Sequence, residues 1–259
     1  MNRLKEGRYG QYLYNDKDAY VGRSIHEYGE YGQHEAELFS AIGGNGYYAV
    51  EVGANIGSLT MALAKDFSKV YAFEPQMGLF KMLCANMALN NFDHVDCYNM
   101  GASDEDTEIT LPSIDYNHDG NYGAFEIEQF SGQGTLKTRI VKLDDFLDLP
   151  SLRLLKVDVE GMEEQVLKGA EKAITQYKPF LYVENDRPDK SQSLIEYIWS
   201  LGYRCYWHIV PLFHEDNFAK NETNVFGVGH SFNMVCSPDV DMPLTKITDS
   251  SDHPLSRSQ

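Results

Sequence analysis

Two acidic residues, Asp158 and Glu160, follow a short apolar segment over residues 152–158 in a way that suits acid–base chemistry. The segment is typical of a buried strand, and a carboxylate at the end of such a strand reaches the sheet edge where ligands bind. There it can accept a proton or hold a cationic group. Glu160 also has a second interpretation, because an acidic side chain in this position can cap the helix that follows Gly161.

A glycine turn ends another apolar segment, predicted as a strand over residues 46–53. The turn and its flanks read Glu51-Val52-Gly53-Ala54-Asn55-Ile56-Gly57. Gly53 permits a tight turn, and Gly57 permits the next helix to pack near the strand. The pattern is not the full G-x-G-x-x-G of a dinucleotide site, and Glu51 suits an ammonium group better than a pyrophosphate. The residues that we expect to contact the ligand here are Glu51, Gly53, Ala54, Asn55 and Gly57.

Two further strand ends supply polar groups. Glu74 lies about 20 residues after Gly53, the spacing at which a carboxylate accepts hydrogen bonds from both ribose hydroxyls. Ala102 and Ser103 follow the third predicted strand, where a small and a polar residue suit the edge of an adenine ring. The sequence therefore predicts a nucleoside-containing ligand.

These motifs resemble those of a known family. The glycine turn followed by Phe73-Glu74-Pro75 is similar to that of class I methyltransferases. Residues 155–170, which read LKVDVEGMEEQVLKGA, closely resemble the signature of FkbM-type methyltransferases, including D-x-E-G and V-L-x-G-A. The segments Val183-Glu184-Asn185 and Asn224-Val225-Phe226-Gly227 fit the same family. The resemblance covers about residues 30–236.

The resemblance implies a seven-strand sheet that binds S-adenosylmethionine and ends in a reversed strand hairpin. It also implies methyl transfer to oxygen, commonly to a hydroxyl of a sugar or a secondary metabolite. We therefore expect an S-adenosylmethionine-dependent O-methyltransferase acting on a hydroxyl of a sugar, a glycan or a small metabolite.

An attacking hydroxyl must lose its proton, which requires a general base or a metal ion. The candidate catalytic residues are Asp158, Glu160 and Glu184. Of Asp158 and Glu160, one would contact the methionine part of the cofactor and the other would orient or deprotonate the acceptor; Asp158 is also a candidate cofactor-binding residue. Asp158, Asn185 and Asp186 offer an alternative, an oxygen site for Mg²⁺ such as metal-dependent catechol and sugar O-methyltransferases use. We expect no catalytic metal.

Apolar runs and helical patterns alternate along most of the chain, which predicts an α/β fold. We expect a Rossmann-like, mostly parallel sheet of seven strands with helices on both faces and a reversed final strand hairpin. The core strands are predicted at residues 46–53, 69–74, 95–100, 152–158, 178–184, 203–210 and 232–236, with a further strand at 135–141. The helices are predicted at residues 34–42, 57–66, 76–90, 162–175 and 190–201.

Three regions fall outside this pattern. Residues 1–33 are rich in Tyr and Gly and predict an irregular N-terminal cap, residues 112–134 an insertion loop, and residues 237–259 a disordered tail. Residues 34–236 remain as the predicted methyltransferase domain. We expect the cap and the insertion loop to select the acceptor, since loops at this sheet edge carry specificity.

Charge and composition narrow the partners. The 22 Lys and Arg against 39 Asp and Glu give a net charge of −17. This charge disfavours binding to nucleic acid and to anionic membranes; alternatively, it only keeps the protein in solution. The sequence contains neither a membrane-spanning run nor a signal-peptide core. The four cysteines lack a C-x-x-C spacing, so we expect free thiols and a cytoplasmic location. The oligomeric state stays open.

Two other functions are compatible with parts of the sequence. A non-catalytic module could keep the nucleotide-binding fold without turnover. An NAD-dependent dehydrogenase would need the third glycine that the turn lacks. Binding of S-adenosylmethionine against NAD separates these classes.

Overall fold

The computed structural model describes residues 1–111, 114–123 and 136–258. The strands of this part are, in chain order, β1 (Asn2–Gly7), β2 (Gly10–Asn15), β3 (Gly44–Val52), β4 (Phe67–Phe73), β5 (Val95–Tyr98), β6 (Met100–Ala102), β7 (Thr107–Leu111), β8 (Leu136–Val141), β9 (Leu154–Val157), β10 (Phe180–Glu184), β11 (Arg204–Pro211), β12 (His230–Ser237) and β13 (Thr245–Lys246). The helices are α1 (Val21–Tyr28), α2 (Gln33–Ile42), α3 (Ser58–Asp66), α4 (Met77–Leu89), α5 (Leu143–Phe146), α6 (Glu163–Gly169), α7 (Glu171–Tyr177) and α8 (Pro188–Ser200).

The central sheet has the strand order β13-β11-β12-β10-β9-β3-β4-β5. The strands from β10 to β5 run parallel, whereas β12 is antiparallel to both of its neighbours. This confirms the prediction of a Rossmann-like, mostly parallel sheet with a reversed final strand. The short β13, which pairs with Tyr206 and Trp207 of β11, adds an eighth strand.

The register of the parallel strands gathers their carboxyl ends. Val52 of β3 pairs with Phe73 of β4 on one side and with Val157 of β9 on the other. Val157 in turn pairs with Val183 of β10. The residues that follow these strands therefore meet at one edge of the sheet, the position at which α/β proteins bind ligands.

Each core strand buries alternate residues in two separate apolar clusters, as a sheet covered on both faces requires. In β10, Tyr182 joins the cluster that contains Phe39 of α2, whereas Leu181 and Val183 join the one that contains Ile195 of α8. Helices α1 to α4 pack on the first face and α5 to α8 on the second. The prediction of helices on both faces is confirmed.

The first 33 residues are not irregular, contrary to the prediction. They form the β1–β2 hairpin and α1. Tyr12 and Tyr14 alternate into the core and are at most 3% exposed, a two-residue period that the many tyrosines conceal in the sequence. The free edge of β2 is hydrogen-bonded by two side-chain amides, those of Asn86 in α4 and of Asn90 at its C-cap. Each amide accepts a backbone N–H with its oxygen and donates to a backbone C=O with its nitrogen, Asn86 at Leu13 and Asn90 at Gln11.

Several element boundaries also differ from the prediction. The third core strand ends at Tyr98, and β6 joins a separate three-stranded sheet in the order β6-β8-β7. The helix predicted over 162–175 is two helices divided at Ala170. Gly169 packs so closely that a Cβ there would lie 1.9 Å from the carbonyl oxygen of Ser103.

The predicted insertion loop and tail have different outcomes. Of the loop, residues 114–123 are described, and Tyr116 and Tyr122 pack edge to face in them; residues 112–113 and 124–134 lie outside the described part of the chain. The prediction of a disordered tail is not matched, because Ile247 and His253 are buried. None of the described helices is both long and apolar enough to span a bilayer.

Candidate active site

A cavity of about 290 Å³ opens at the carboxyl edge of the sheet. The register described above brings most of the sequence-predicted site residues into its lining. They are Glu51, Gly53, Ala54, Asn55, Glu74, Ala102, Asp158, Glu160 and Glu184. Two predicted residues, Gly57 and Ser103, are not among the lining residues.

Gly53 makes the turn from β3 into the cavity. It adopts φ +87°, and a Cβ on it would lie 1.7 Å from the carbonyl oxygen of Asp158. The backbone N–H groups of Gly53 and Ala54 both donate to the carbonyl of Phe73, at 3.0 and 2.9 Å. Glycine is therefore required at position 53 because any side chain would collide with the backbone of Asp158 after β9. This requirement holds without a ligand, whereas the sequence suggested only that a ligand must approach the turn closely.

Gly57 and Ser103 act in packing rather than in lining the cavity. Gly57 adopts φ +85° where α3 begins, and a Cβ there would lie 2.7 Å from Leu83 and 3.1 Å from Met87. Ser103 is 4% exposed, and its hydroxyl bonds the Asp104 carboxylate at 3.1 Å. Helix packing was expected for Gly57, whereas the role against an adenine ring remains only for Ala102.

The Glu74 carboxylate is fixed by the backbone around it. Its Oε2 accepts the N–H of Asn55 at 2.9 Å, and its Oε1 accepts the N–H of Gln76 at 2.8 Å. Burial raises the pKa of Glu74 to about 7, although these two hydrogen bonds oppose the shift. Beside it, Gln76 Oε1 is buried with no hydrogen-bond partner among the described residues. The carboxylate of Glu74 and Oε1 of Gln76, at the carboxyl end of β4, can thus accept hydrogen bonds from donor groups of a ligand.

Lys156 lies at the centre of the charged groups, and sequence reasoning missed it. Its ammonium is 3.4 Å from Glu51 Oε1 and 3.3 Å from Asp158 Oδ2, and the side chain is 2% exposed. Burial alone would lower the pKa of Lys156, but the surrounding carboxylates outweigh it and hold the pKa above its ordinary value. The other oxygen of Glu51 accepts the hydroxyl of Thr60 at 2.6 Å. Glu51 thus already pairs with an ammonium group, that of Lys156.

Three carboxylates meet beyond β9 and β10. Oxygens of Asp158, Glu160 and Glu184 all lie within 4.8 Å of one another. Glu160 adopts φ +59°, and its Oε2 accepts a hydrogen bond of 2.7 Å from Arg187. Burial, helped by Asp158 and Asp186, raises the pKa of Glu160 to about 8.

Glu184 completes this carboxylate cluster, the name used below for Asp158, Glu160 and Glu184. Burial raises the pKa of Glu184 well above its ordinary value, and the neighbouring carboxylates add to the shift. Its Oε2 is buried and has no hydrogen-bond partner in the part of the chain that the structure describes. The cluster can therefore hold a proton near neutral pH.

Two alternatives from the sequence do not match the structure. Glu160 does not cap the helix that follows Gly161, because α6 has no side-chain hydrogen bond at its N-cap, Met162. Glu163, the first residue of α6, instead accepts the N–H groups of Gly161 and Val159 in the preceding loop at 2.9 and 3.2 Å. The proposed magnesium ligands are not brought together either. Asn185 is buried and donates to Ser191 at 2.9 Å, so it lies outside the cavity lining, whereas Asp186 is part of it.

Other lining residues come from segments distant in sequence. Tyr20, Tyr31 and Glu35 approach from the first 35 residues, Leu212 from the β11–β12 connection, and His230 and Ser231 from the start of β12. Burial raises the pKa of Glu35 to about 7. Only Lys156 carried a local signal, since a lysine inside an otherwise apolar strand must find a buried counter-charge. The others are brought in by tertiary packing, which sequence periodicity does not reveal.

Comparisons with known proteins agree on the kind of domain. A family model described as the methyltransferase FkbM domain matches residues 51–205, more than half of the chain. Methyltransferase 1 of Beauveria bassiana (strain ARSEF 2860) is 30% identical over 47% of this chain and 57% of that protein. Methyltransferase sdnD of Sordaria araneosa is 27% identical over 58% of this chain and 70% of that protein.

A solved structure shares the fold. The methyltransferase FkbM from Methylobacillus flagellatus KT is similar with a TM-score of 0.52 at 19% identity, covering 73% of this chain and 43% of that one. The chain thus spans 57% of the Beauveria protein and less than half of the Methylobacillus protein.

Proposed function

The chain belongs to the methyltransferase FkbM family, and from that premise we propose that it transfers a methyl group from S-adenosylmethionine to a hydroxyl oxygen of a sugar, a glycan or a small metabolite. S-adenosylmethionine is the cofactor that this membership implies. The observation that carries the assignment to oxygen is the carboxylate cluster beside the glycine turn, because an attacking hydroxyl needs a proton acceptor at that point.

The lining residues fit this cofactor. Glu74 and the unpartnered Gln76 Oε1 offer acceptors for ribose hydroxyls and an exocyclic amine. Ala102 leaves room for a flat ring, and the acidic groups around Asp158 suit the positively charged methionine end. When bound, the cofactor supplies an electrophilic methyl group.

We assign proton acceptance to the carboxylate cluster. A base whose pKa is raised to about 8, as that of Glu160 is, takes a proton more readily than an ordinary carboxylate does. The guanidinium of Arg187, 2.7 Å from Glu160 Oε2, holds that carboxylate in place. Asp158, next to Lys156, would orient the acceptor hydroxyl or the methionine part.

The acceptor would enter beside residues from the first 35 positions, from the β11–β12 connection and from the start of β12. Tyr20, Tyr31 and Leu212 give this side of the cavity apolar surface, while Ser231 and His230 add polar groups. That mixture suits a hydroxylated small molecule. The net charge of −17 disfavours nucleic acid and anionic lipid as partners, and the four free thiols support a cytoplasmic location.

A magnesium-dependent version of the reaction has one supporting observation, the approach of three carboxylates to within 4.8 Å. We favour the metal-independent version because Arg187 already provides the positive charge at Glu160. Initial rates should then be the same with and without added Mg²⁺. A rate that rises with Mg²⁺ in the wild type but not in Glu184→Gln would assign the cluster to the metal instead.

The proposed function is tested by binding and turnover together. S-adenosylmethionine binding is measured by calorimetry, with NAD as the comparison, and S-adenosylhomocysteine release is measured with a panel of hydroxylated acceptors. Glu160→Gln and Glu184→Gln should keep the cofactor affinity within a few-fold and lose most turnover. Glu164→Gln, whose side chain pairs with Lys168 at 2.7 Å, is the matched control and should keep both.

Two outcomes would contradict the proposal. Binding of S-adenosylmethionine without turnover on any acceptor class would favour a non-catalytic module. Full turnover in the double variant Glu160→Gln, Glu184→Gln would remove the cluster from the chemistry.

A further inference from the structure

A second group of potential ligands lies away from the carboxylate cluster. It consists of His34 and Glu37 on α2 and His214, just after β11. One donor atom from each residue lies within 4.8 Å of the others. The two imidazole rings are 4.8 Å apart between centroids and nearly perpendicular, at 81°. None of these three residues lines the cavity.

The ring of His214 is held from behind by a buried acid. Its Nδ1 lies 3.1 Å from Glu30 Oε1, and Glu30 is 2% exposed. The other oxygen of Glu30 accepts hydrogen bonds from Arg8 Nε at 2.6 Å and from the N–H of Phe218 at 2.8 Å. A carboxylate behind one ring nitrogen is the arrangement that orients metal-binding histidines, since it leaves the other nitrogen available.

The opposite nitrogen faces the rest of the group. His214 Nε2 lies 3.6 Å from Glu37 Oε1. Two ligands about 2.1 Å from a tetrahedral zinc ion are about 3.4 Å apart, so this separation needs little adjustment.

We propose that His34, Glu37 and His214 bind one divalent transition-metal ion of the zinc type. Two imidazoles and one carboxylate match the ligand preference of such ions, whereas Mg²⁺ and Ca²⁺ prefer oxygen ligands alone. The side chain of Glu37 is 55% exposed, so water can complete the coordination.

The proposed ion would join α2 to the connection between β11 and β12. Glu35 lies beside His34 in sequence and Leu212 lies two positions before His214, and both line the cavity. The ion would thus fix the cavity wall to which we assign acceptor binding, without contacting the reacting groups.

Zinc binding to the full chain tests the proposal. The protein is treated with a chelator, dialysed and titrated with ZnCl₂, and bound zinc is counted by elemental analysis. We expect one ion per chain and a rise in Tm of about 5 °C or more at saturating zinc. His34→Gln and Glu37→Gln should each weaken zinc binding at least tenfold and remove the rise in Tm, and MgCl₂ should not reproduce it.

The matched control is His118→Gln. His118 also has a carboxylate partner, Asp115 at 2.9 Å, but no second histidine. This variant should bind zinc as the wild type does. Glu37 is exposed, so Glu37→Gln reports on binding even if a histidine variant unfolds. Two results would overturn the proposal: zinc binding of equal strength in the wild type and in the double variant His34→Gln, Glu37→Gln, or no stoichiometric zinc binding to the wild type. His214 and Glu30 would then be an ordinary histidine–carboxylate pair.

Discussion

The Glu74 carboxylate combines two tasks in one side chain. It fixes the amides of Asn55 and Gln76 and faces the cavity with its remaining lone pairs. Glu74→Ala should weaken S-adenosylmethionine binding about 30- to 1000-fold, because two hydrogen bonds to a charged acceptor are lost, roughly 2–4 kcal/mol. Calorimetry measures this, with circular dichroism to confirm folding. An affinity within threefold of the wild type would remove Glu74 from the cofactor site.

Glu160 gives the reaction its expected pH dependence. Its pKa is raised to about 8, and only the ionised form can accept a proton. We expect kcat/KM to rise with pH towards a plateau above about 8, and Glu160→Gln to reduce it by about 10²- to 10⁴-fold. Initial rates between pH 6 and 9 at low substrate measure both effects. A wild-type profile that is flat over this interval would show that Glu160 is not the base.

Single residues at strand ends were predictable, and residues that arrive from other segments were not. Asp158 and Glu74 follow largely apolar segments that predict buried strands, so their position at the sheet edge follows from the strands alone. Glu35 and Ser231 line the cavity because tertiary packing brings α2 and the start of β12 beside it. Their spacing in sequence contains no sign of this contact.

The turn after β3 constrains the fold of two neighbouring strands. Gly53→Ala places a Cβ 1.7 Å from the Asp158 carbonyl, and no side chain can move to relieve that contact. We expect a loss of about 3 kcal/mol or more in the free energy of unfolding, measured by urea denaturation.

Gly46 provides a control on the same strand. It adopts a similar φ of +83°, and an added Cβ would have no atom within 4 Å. Gly46→Ala therefore isolates the backbone strain, of order 1 kcal/mol, from the contact with Asp158. Equal losses in the two variants would contradict the role assigned to Gly53.

The elements themselves were predictable where their periodicity was strong. The alternation of apolar runs and helical patterns predicted the seven core strands and the main helices after residue 33, whereas the reversed β12 was implied only by the family resemblance. The β1–β2 hairpin was missed because its edge is completed by Asn86 and Asn90, side chains 73 and 79 positions away from the strand residues that they bond. Hydrogen bonds between a strand and two side-chain amides leave no repeating pattern of apolar residues, so the sequence does not reveal this strand.

Several buried acids of the molecule have raised pKa values. Burial raises the pKa of Glu35 and Glu74 to about 7, above the ordinary value of 4.5. At these two groups the folded state therefore binds more protons than the unfolded state between about pH 4.5 and 7, so their contribution to the free energy of unfolding falls as pH rises through this interval. Each group accounts for about 3 kcal/mol at most.

Urea denaturation of the cofactor-free protein at pH 5, 6.5 and 8 checks this expectation. We expect the highest stability near pH 5 and a steady decrease above it. Glu74→Gln removes one of the titrating groups and should make the dependence on pH less steep. A wild-type stability that increases from pH 5 to pH 8 would show that these carboxyls are ionised in the folded protein.

The contacts of α1 also determine when the protein can finish folding during synthesis. Tyr28 donates its hydroxyl to the carbonyl of Thr223 at 2.8 Å, and Glu30 accepts the N–H of Phe218, pairs separated by 195 and 188 positions. A ribosome delivers the first 30 residues long before their partners, and β12, which lies between β10 and β11, emerges later still. Tyr28 and Glu30 therefore lack these partners until most of the chain has been made, and we expect this segment to be a target for chaperones on the growing chain.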